Sequence, residues 1–346
     1  MNIFPISEEA QQDRISGLHD DLLRHILSFL PTHLAVRTGI LSNRWRGVWE
    51  SLQTLQLNER FVLKLIFWYP EPIKKLLLKC KSLHLSISEF GSIETLLRHC
   101  PVVEELVLEG TMGCRMLDFE ISMPTLKRLS LNFSRVLTLC CYRFRIIAPA
   151  LEFLHITDNY SSNYEVGDLP CLKKVEICFG YNCIILADRA MQFLGAVAIA
   201  RSLSLLPSTM CLLSSARRMN LPTLPNLTHL ELQVFHGFGW NLVIDFLRST
   251  PKLEVLILRK NPNICWHCLD SPSWSPQQSA APPSCLLSSV KVIKIVGFKK
   301  RKDEDELLAY LLKYAKVLDR ITIDSHELDL EDVKLLIPIS RVQITN

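Results

Sequence analysis

The chain has 346 residues, enough for a small module followed by one large elongated domain, and 48% of them are hydrophobic, enough for a substantial core. Charged residues make up 21%, and a formal charge of +4 with no basic stripe among aromatics excludes a nucleic-acid partner. The opening MNIFPISEEAQQD lacks the cationic start and apolar core of a signal peptide, and no apolar run reaches membrane-spanning length, so no membrane partner is expected.

Residues 1–12 read as a flexible N-terminus. From Asp13 to Ser51 the spacing predicts three short helices. Asp20 is the expected N-cap of the first, with Asp21 in its first turn. Leu22, Leu23, Ile26, Leu27 and Leu30 then recur at helical spacing until Pro31 forbids continuation. Thr32 is the expected cap of a second helix through Leu34, Ala35 and Val36, ended or weakened by Gly39. Ser42 starts a third, whose Trp45, Val48 and Trp49 share one face. A unit this small offers more Leu, Ile and Trp surface than it can hide. The surplus marks either a docking face or packing on the rest of the chain, and the pattern alone leaves both open.

The run resembles the F-box of plant F-box/leucine-rich-repeat proteins. It matches at Ile15, Ser16, Leu18, Asp20, Leu22, Leu23, Ile26, Leu27 and Ser28 to Pro31, then at Ala35, Val36, Thr38, Leu41, Ser42, Arg44, Trp45 and Trp49. It departs at His19, where the family has Pro, at Gly39, where Ser or Cys is common, and at Gly47, an interior glycine costing about 1 kcal/mol relative to Ala. The resemblance implies docking on a Skp-type adaptor, and through it on the cullin of a cullin–RING ubiquitin ligase. The implied docking residues are Leu18, Leu22, Leu23, Ile26, Leu30, Pro31, Leu41, Trp45 and Trp49. Some of these must instead hold the helices together, and the sequence does not separate the two groups.

From residue 52 an apolar-x-x-apolar-x-apolar pattern recurs, as in Leu52-Leu55-Leu57, Leu126-Leu129-Leu131 and Leu253-Leu256-Leu258, with weaker forms to Ile339-Val342-Ile344. Twelve copies occur at a mean period of about 26, within the leucine-rich-repeat range. Proline precedes six of them, at Pro101, Pro124, Pro149, Pro170, Pro225 and Pro251, where it stiffens the approach to a strand without removing a donor inside it. One such unit cannot bury its own apolar side, so neighbours must stack into a parallel sheet. Helical segments around Ile93–Cys100, Ile184–Leu194 and Leu242–Leu247 are expected on the convex side. The interval after Leu57 is short and aromatic, which leaves the first full repeat undefined.

Residues 261–284 hold five prolines in a Ser/Ala/Gln-rich setting and read as a loop. The continuation, Cys285 to Phe298 with Trp274 before it, then acidic Asp303–Glu306, Leu307–Leu312 and Leu318–Ile323, resembles the FBD domain of plant F-box proteins. Its expected job is to cover the apolar edge of the last repeat. The fold expected is therefore α/β. A three-helix F-box (13–51) precedes an irregular leucine-rich-repeat solenoid (52–260), the loop (261–284) and an FBD-like C-terminal cap (285–346).

No catalytic motif emerges. Cys265-Trp266-His267-Cys268 lacks the second ligand pair a zinc site needs and reads as loop cysteines. Lys299 to Lys302 reads as a solvated loop ahead of an acidic helix start. Phe235, Phe238 and Trp240, after a repeat strand, are the candidate target-binding cluster. No metal or cofactor is expected. The twelve cysteines, without a secretion signal, point to reduced thiols in cytoplasm or nucleus. The reading is a non-catalytic, substrate-recognition subunit of a ubiquitin ligase. The alternative is a leucine-rich-repeat scaffold with a vestigial F-box, and co-purification with a Skp-type adaptor separates the two.

Overall fold

The computed structural model describes residues 15, 17–58, 82–87, 93–98, 100–110, 117–133, 142–158, 163–180, 184–215, 220–235, 240–261, 281–297, 299, 301–324 and 342–345. Three helices come first: α1 (Asp20–Ser28), α2 (Thr32–Arg37), followed by a 3-10 turn Thr38–Ile40, and α3 (Asn43–Glu50). Their caps partly differ from expectation. His19, not Asp20, occupies the N-cap of α1 in extended backbone, and its Nδ1 accepts the Asp21 N–H at 3.4 Å. Asp20 instead ties α1 to α3, its carboxylate accepting from Arg44 Nε at 2.9 Å. Thr32 likewise lies inside α2, and its Oγ1 accepts the Gln56 N–H at 2.9 Å, fastening the helices to the sheet. Ser42 caps α3 as expected, its Oγ accepting from Trp45 N.

Among the described residues the chain then forms a twelve-stranded sheet in which every neighbour is parallel. Its strands are β1 (Thr54–Asn58), β2 (Ser82–Ile87), β3 (Glu105–Gly110), β5 (Arg128–Phe133), β7 (Phe153–Asp158) and β9 (Lys174–Phe179). They continue as β10 (Ser202–Leu205), β11 (His229–Phe235), β12 (Val255–Asn261), β13 (Val292–Val296), β14 (Arg320–Asp324) and β15 (Val342–Thr345). Each apolar-x-apolar pair of the sequence pattern lies on one of these strands, in a single register. Leu55, Leu83, Leu106, Leu129, Leu154 and Val175 align in one row, continued by Leu203, Leu230, Leu256, Ile293, Ile321 and Val342. A slip of one residue would turn each pair to solvent. From Leu55 to Ile323 the described members of this row and its partner row are buried, each contributing about 1.5–3 kcal/mol by removal from water.

The layer behind the sheet is mixed. Helices Ile93–Leu97, Ile184–Ala196 and Trp240–Ser249 stand where helical spacing predicts them. Between the first two, the layer is instead a three-stranded parallel sheet of β4 (Leu117–Ser122), β6 (Tyr142–Ile147) and β8 (Asn163–Val166), which the sequence reading did not anticipate. Phe119 and Ile121, and Phe144 and Ile146, alternate with charged residues at the period of two that a half-buried strand requires. Phe144 stacks on Phe133 and on Tyr164, both at 5.3 Å between centroids, filling the space between the two sheets.

The C-terminal segment continues the same sheet rather than sitting over its edge: β13 pairs with β12, and β14 with β13. Helix Lys302–Tyr314 packs behind them with Asp303, Glu304 and Asp305 in its first turn. Glu304 is not solvated there. It is buried against Lys260 of β12, and its Oε2 also accepts the N–H of Lys299 at 2.8 Å and of Arg301 at 3.4 Å. Gly297, at φ +78°, takes the turn after β13. A Cβ there would lie 3.1 Å from the Lys260 carbonyl oxygen, so glycine is required on both counts. The arrangement is a mixed α/β fold with N-terminal helices and a parallel sheet compatible with a repeat architecture.

Candidate functional site

Helix α1 carries two apolar pairs at i, i+4 spacing that face different ways. Leu23 and Leu27 are 0% and 1% exposed, whereas Leu22 and Ile26, one step around the helix, are 52% and 42% exposed. The buried pair belongs to a core made with Ala35, Val36, Trp45, Val48 and Trp49, continuous with Leu52 and Leu55 of the sheet. The other pair is left uncovered by the described residues.

The structure thus divides the nine residues implicated by the sequence. Leu22, Ile26, Leu30, Pro31 and Leu41 are exposed, and Leu18 is partly buried against the core. Leu23, Trp45 and Trp49 are buried and present no surface. The reason is geometric: Trp45, Val48 and Trp49 lie on the single face of α3 that meets α1 and α2. Four further exposed residues, Ile15, Phe29, Leu34 and Ile40, extend the apolar surface. The available signal was that each lies off the buried helical stripe.

Polar contacts hold this surface in place. Arg44 donates to the Leu18 carbonyl and, from its terminal nitrogen, to Asp20 at 2.7 Å. Arg24 pairs with Asp21 at 2.6 Å on the exposed side of α1. Such exposed pairs add little energy, so their contribution is orientation. Trp49 Nε1 is buried with no hydrogen-bond partner among the described residues, and a Cβ at Gly39 would lie 3.0 Å from it.

The candidate target-binding cluster fares differently. Trp240 is 4% exposed, and its Nε1 donates to Asp303 Oδ2 at 2.8 Å. It lines a small cavity with Val234, Leu258 and Leu307, beside the Lys260–Glu304 pair. It is therefore a core residue joining two repeats, not a recognition side chain. Its partner lies 63 positions away, which local spacing could not show. Phe235 ends β11, and Phe238 lies outside the described residues, as does Cys265-Trp266-His267-Cys268. Among the described residues no group of three His, Cys, Asp or Glu is placed to hold a metal, and no helix is long and apolar enough to cross a membrane.

The open face of the sheet carries a chain of polar contacts. Glu176 on β9 accepts from Lys174 at 2.6 Å and meets His155 of β7 at 3.2 Å. Burial pushes its carboxyl up, but these two neighbours together hold it below the usual carboxylate value.

Comparison with known proteins adds two family matches. The model described as "F-box domain" matches residues 15–57, and that described as "FBD" matches residues 277–323. An FBD-associated F-box protein of Arabidopsis thaliana is 24% identical, the alignment covering 94% of this chain and 92% of the relative. An F-box/FBD/LRR-repeat protein of the same plant is 25% identical over 88% of this chain and 91% of the relative. An F-box/LRR-repeat protein, also from Arabidopsis thaliana, is 24% identical over 93% and 90%. The first match ends on β1, and the second runs from before helix Ser284–Ser288 to β14.

Proposed function

We propose that this chain is the substrate-recognition subunit of an SCF-type cullin–RING ubiquitin ligase. Residues 13–51 form an F-box that docks on a Skp-type adaptor. Residues 52–260 form a leucine-rich-repeat solenoid that holds a target protein, and residues 285–346 are FBD-like repeats that prolong it. The chain makes and breaks no bond of its own. Its contribution is to keep the target close to the ubiquitin-charged partner, so that the transfer becomes effectively intramolecular.

One observation carries the docking assignment. Among the described residues, eight of the thirteen exposed large apolar side chains lie between Ile15 and Leu41. Such a concentration on one small helical unit is a surface waiting for cover. The F-box match over the same residues supports a Skp-type adaptor as that cover. In this reading Leu22, Ile26, Leu30, Pro31 and Leu41 meet the adaptor with Leu18 at the margin, and Phe29 and Ile40 join them. Leu23, Trp45 and Trp49 act from beneath, by holding the helices in position.

The test is capture of a purified Skp-type adaptor by the full-length protein. Leu22→Ala with Ile26→Ala is expected to weaken capture by about 2 kcal/mol or more, roughly thirtyfold, while leaving the melting temperature unchanged. Trp45→Ala, by contrast, is expected to lower the melting temperature through a core cavity. Wild-type capture by the double variant would sink the docking assignment. Absence of capture by the unmodified chain would sink the ligase reading itself.

A further inference from the structure

The open face of the sheet changes character along its length. On each strand the residues flanking the buried apolar pair alternate with it and point away from the core. From β3 to β11 that face is mostly polar, with Val107 and Phe153 as apolar exceptions, and its Lys and Arg side chains are matched by acids. Arg128 meets Glu105 at 3.5 Å, and Lys174 meets Glu176 at 2.6 Å. At the boundary, Arg259 of β12 is still held by Glu231 of β11.

Beyond that point the pattern breaks. Val255 of β12 stands beside Val292 of β13, with Ile257 and Val296 further along the same face, all four only half-buried. Lys294 lies between the two valines of β13, directly across from Ile257 on one side and Thr322 on the other. Arg320 is across from Val292. Neither cation has a carboxylate partner among the described residues, although Asp324 is on the same face of β14. Three strands about 4.8 Å apart make a strip roughly 10 Å wide, about the width of one extended peptide with its side chains. An aliphatic floor and two unmatched cations ask for the complementary partner: apolar side chains interleaved with carboxylates.

We propose that this strip reads the target protein, and that its occupant is a short extended segment in which Asp or Glu alternates with Leu, Ile or Phe. The proposal rests on the reading that the sheet holds a target, and it replaces the Trp240 cluster as the place where it does so. Apolar side chains of the segment lie on Val255, Ile257 and Val292, and its acids meet Lys294 and Arg320. A basic segment is rejected by the same two charges.

The experiment is selection of a displayed random dodecapeptide library on the full-length protein, with adaptor capture measured in parallel. The selected peptides are expected to be enriched in Asp and Glu beside Leu, Ile or Phe. Their binding is expected to weaken at least tenfold with Lys294→Glu plus Arg320→Glu, and also with Ile257→Asp. Lys294→Arg retains it, which separates lost charge from lost folding, and raising the salt from 50 to 500 mM weakens it. Peptides without acidic enrichment, peptides indifferent to these variants, or no enrichment at all would overturn the proposal. So would tighter binding of a single-stranded oligonucleotide to the same two cations. The adaptor arm keeps the readings apart: no peptide enriched on the unmodified chain, with adaptor capture intact, refutes the strip alone. Selective peptide binding without adaptor capture refutes the ligase reading alone.

Discussion

Replacing Glu304 with leucine removes a carboxylate 2% exposed that faces an ammonium, Lys260, 5% exposed. Breaking such a pair from one side costs about 3–5 kcal/mol, because the surviving charge stays desolvated. The two sides are not equivalent. After Lys260→Met the carboxylate still accepts the N–H of Lys299 at 2.8 Å and of Arg301 at 3.4 Å. It also sits in the first turn of helix Lys302–Tyr314, where the dipole favours negative charge. That variant belongs near the lower figure. Glu304→Leu forfeits the ion pair and both amide contacts together, and belongs near the upper one. The double variant Lys260→Met/Glu304→Leu leaves apolar groups among Val234, Trp240, Leu258 and Leu307, and is expected to cost less than either single change. Urea unfolding gives the global figures. Hydrogen exchange at β12, β13 and the helix locates them, with exchange there faster by roughly a hundredfold for Lys260→Met and by up to several thousandfold for Glu304→Leu. If the double variant costs the sum of the singles to within about 0.5 kcal/mol, the pair is not coupled and the reasoning fails. Equal costs for the two singles would refute the asymmetry drawn from the amide contacts and the dipole, and leave the coupling standing.

The N-terminal glycines give opposite expectations. A Cβ at Gly47 meets nothing within 4 Å, so Gly47→Ala should stabilise the chain by about 1 kcal/mol in a thermal melt, and a destabilised variant would contradict this. Gly39→Ala crowds the Trp49 indole at 3.0 Å and should cost about 1–2 kcal/mol. Gly39→Ser should cost less, since its hydroxyl offers the buried Trp49 N–H an acceptor, and equal melting temperatures would refute that. Among the thiols, Cys171 is exposed, whereas burial pushes Cys285 up to about 11. N-ethylmaleimide at neutral pH should therefore modify Cys171 well before Cys285, as peptide mapping can read, and comparable rates would be evidence against the packing around helix Trp240–Ser249. Glu176 is held below its ordinary value of 4.5, so its contribution is fully present above that pH and is lost as pH falls through the lowered value. Glu176→Gln should flatten the loss of stability below about pH 4.5, and parallel pH profiles would rule out the contribution.

What the sequence disclosed depended on how far apart the interacting residues lie along the chain. The repeat was legible because a parallel sheet with one buried side imposes the same pair of apolar residues on every strand, and Leu83 and Leu85 answer to the same rule as Ile321 and Ile323. Ser42 was legible because an N-cap acts three residues away. His19 escaped because imidazole is an uncommon cap, and Asp20 misled because its partner, Arg44, is 24 positions on. The β4–β6–β8 sheet showed its alternation openly in DFEI and RFRI. It was passed over because helices were expected behind the strands throughout. Trp240 was misjudged because an aromatic after a strand looks like a loop anchor until Asp303 is placed beside it. The division of Leu22 from Leu23 needed the packing of three helices, since both satisfy the same spacing.

The connection between the helices and the sheet bears on how the proposed assembly would work. Only three residues separate α3 from β1, and Gln56 of β1 is bonded to Thr32 of α2. Trp49 and Leu55 belong to one continuous core. The proposed docking surface is therefore built onto the first strand of the sheet instead of hanging from a linker. From β1 to β13 there are nine parallel steps, about 43 Å of arc at 4.8 Å each. A flexible tether of that reach would spread the target over a large volume and dilute its encounter with the charged partner. A sheet locked by a common register confines it to a narrow shell. Loosening that register between the two ends, as by Leu131→Ala in the buried row of β5, should then slow target modification even where adaptor capture and peptide binding, measured separately, are unchanged. Unaltered modification in that variant would mean that reach, not rigidity, is what the sheet supplies.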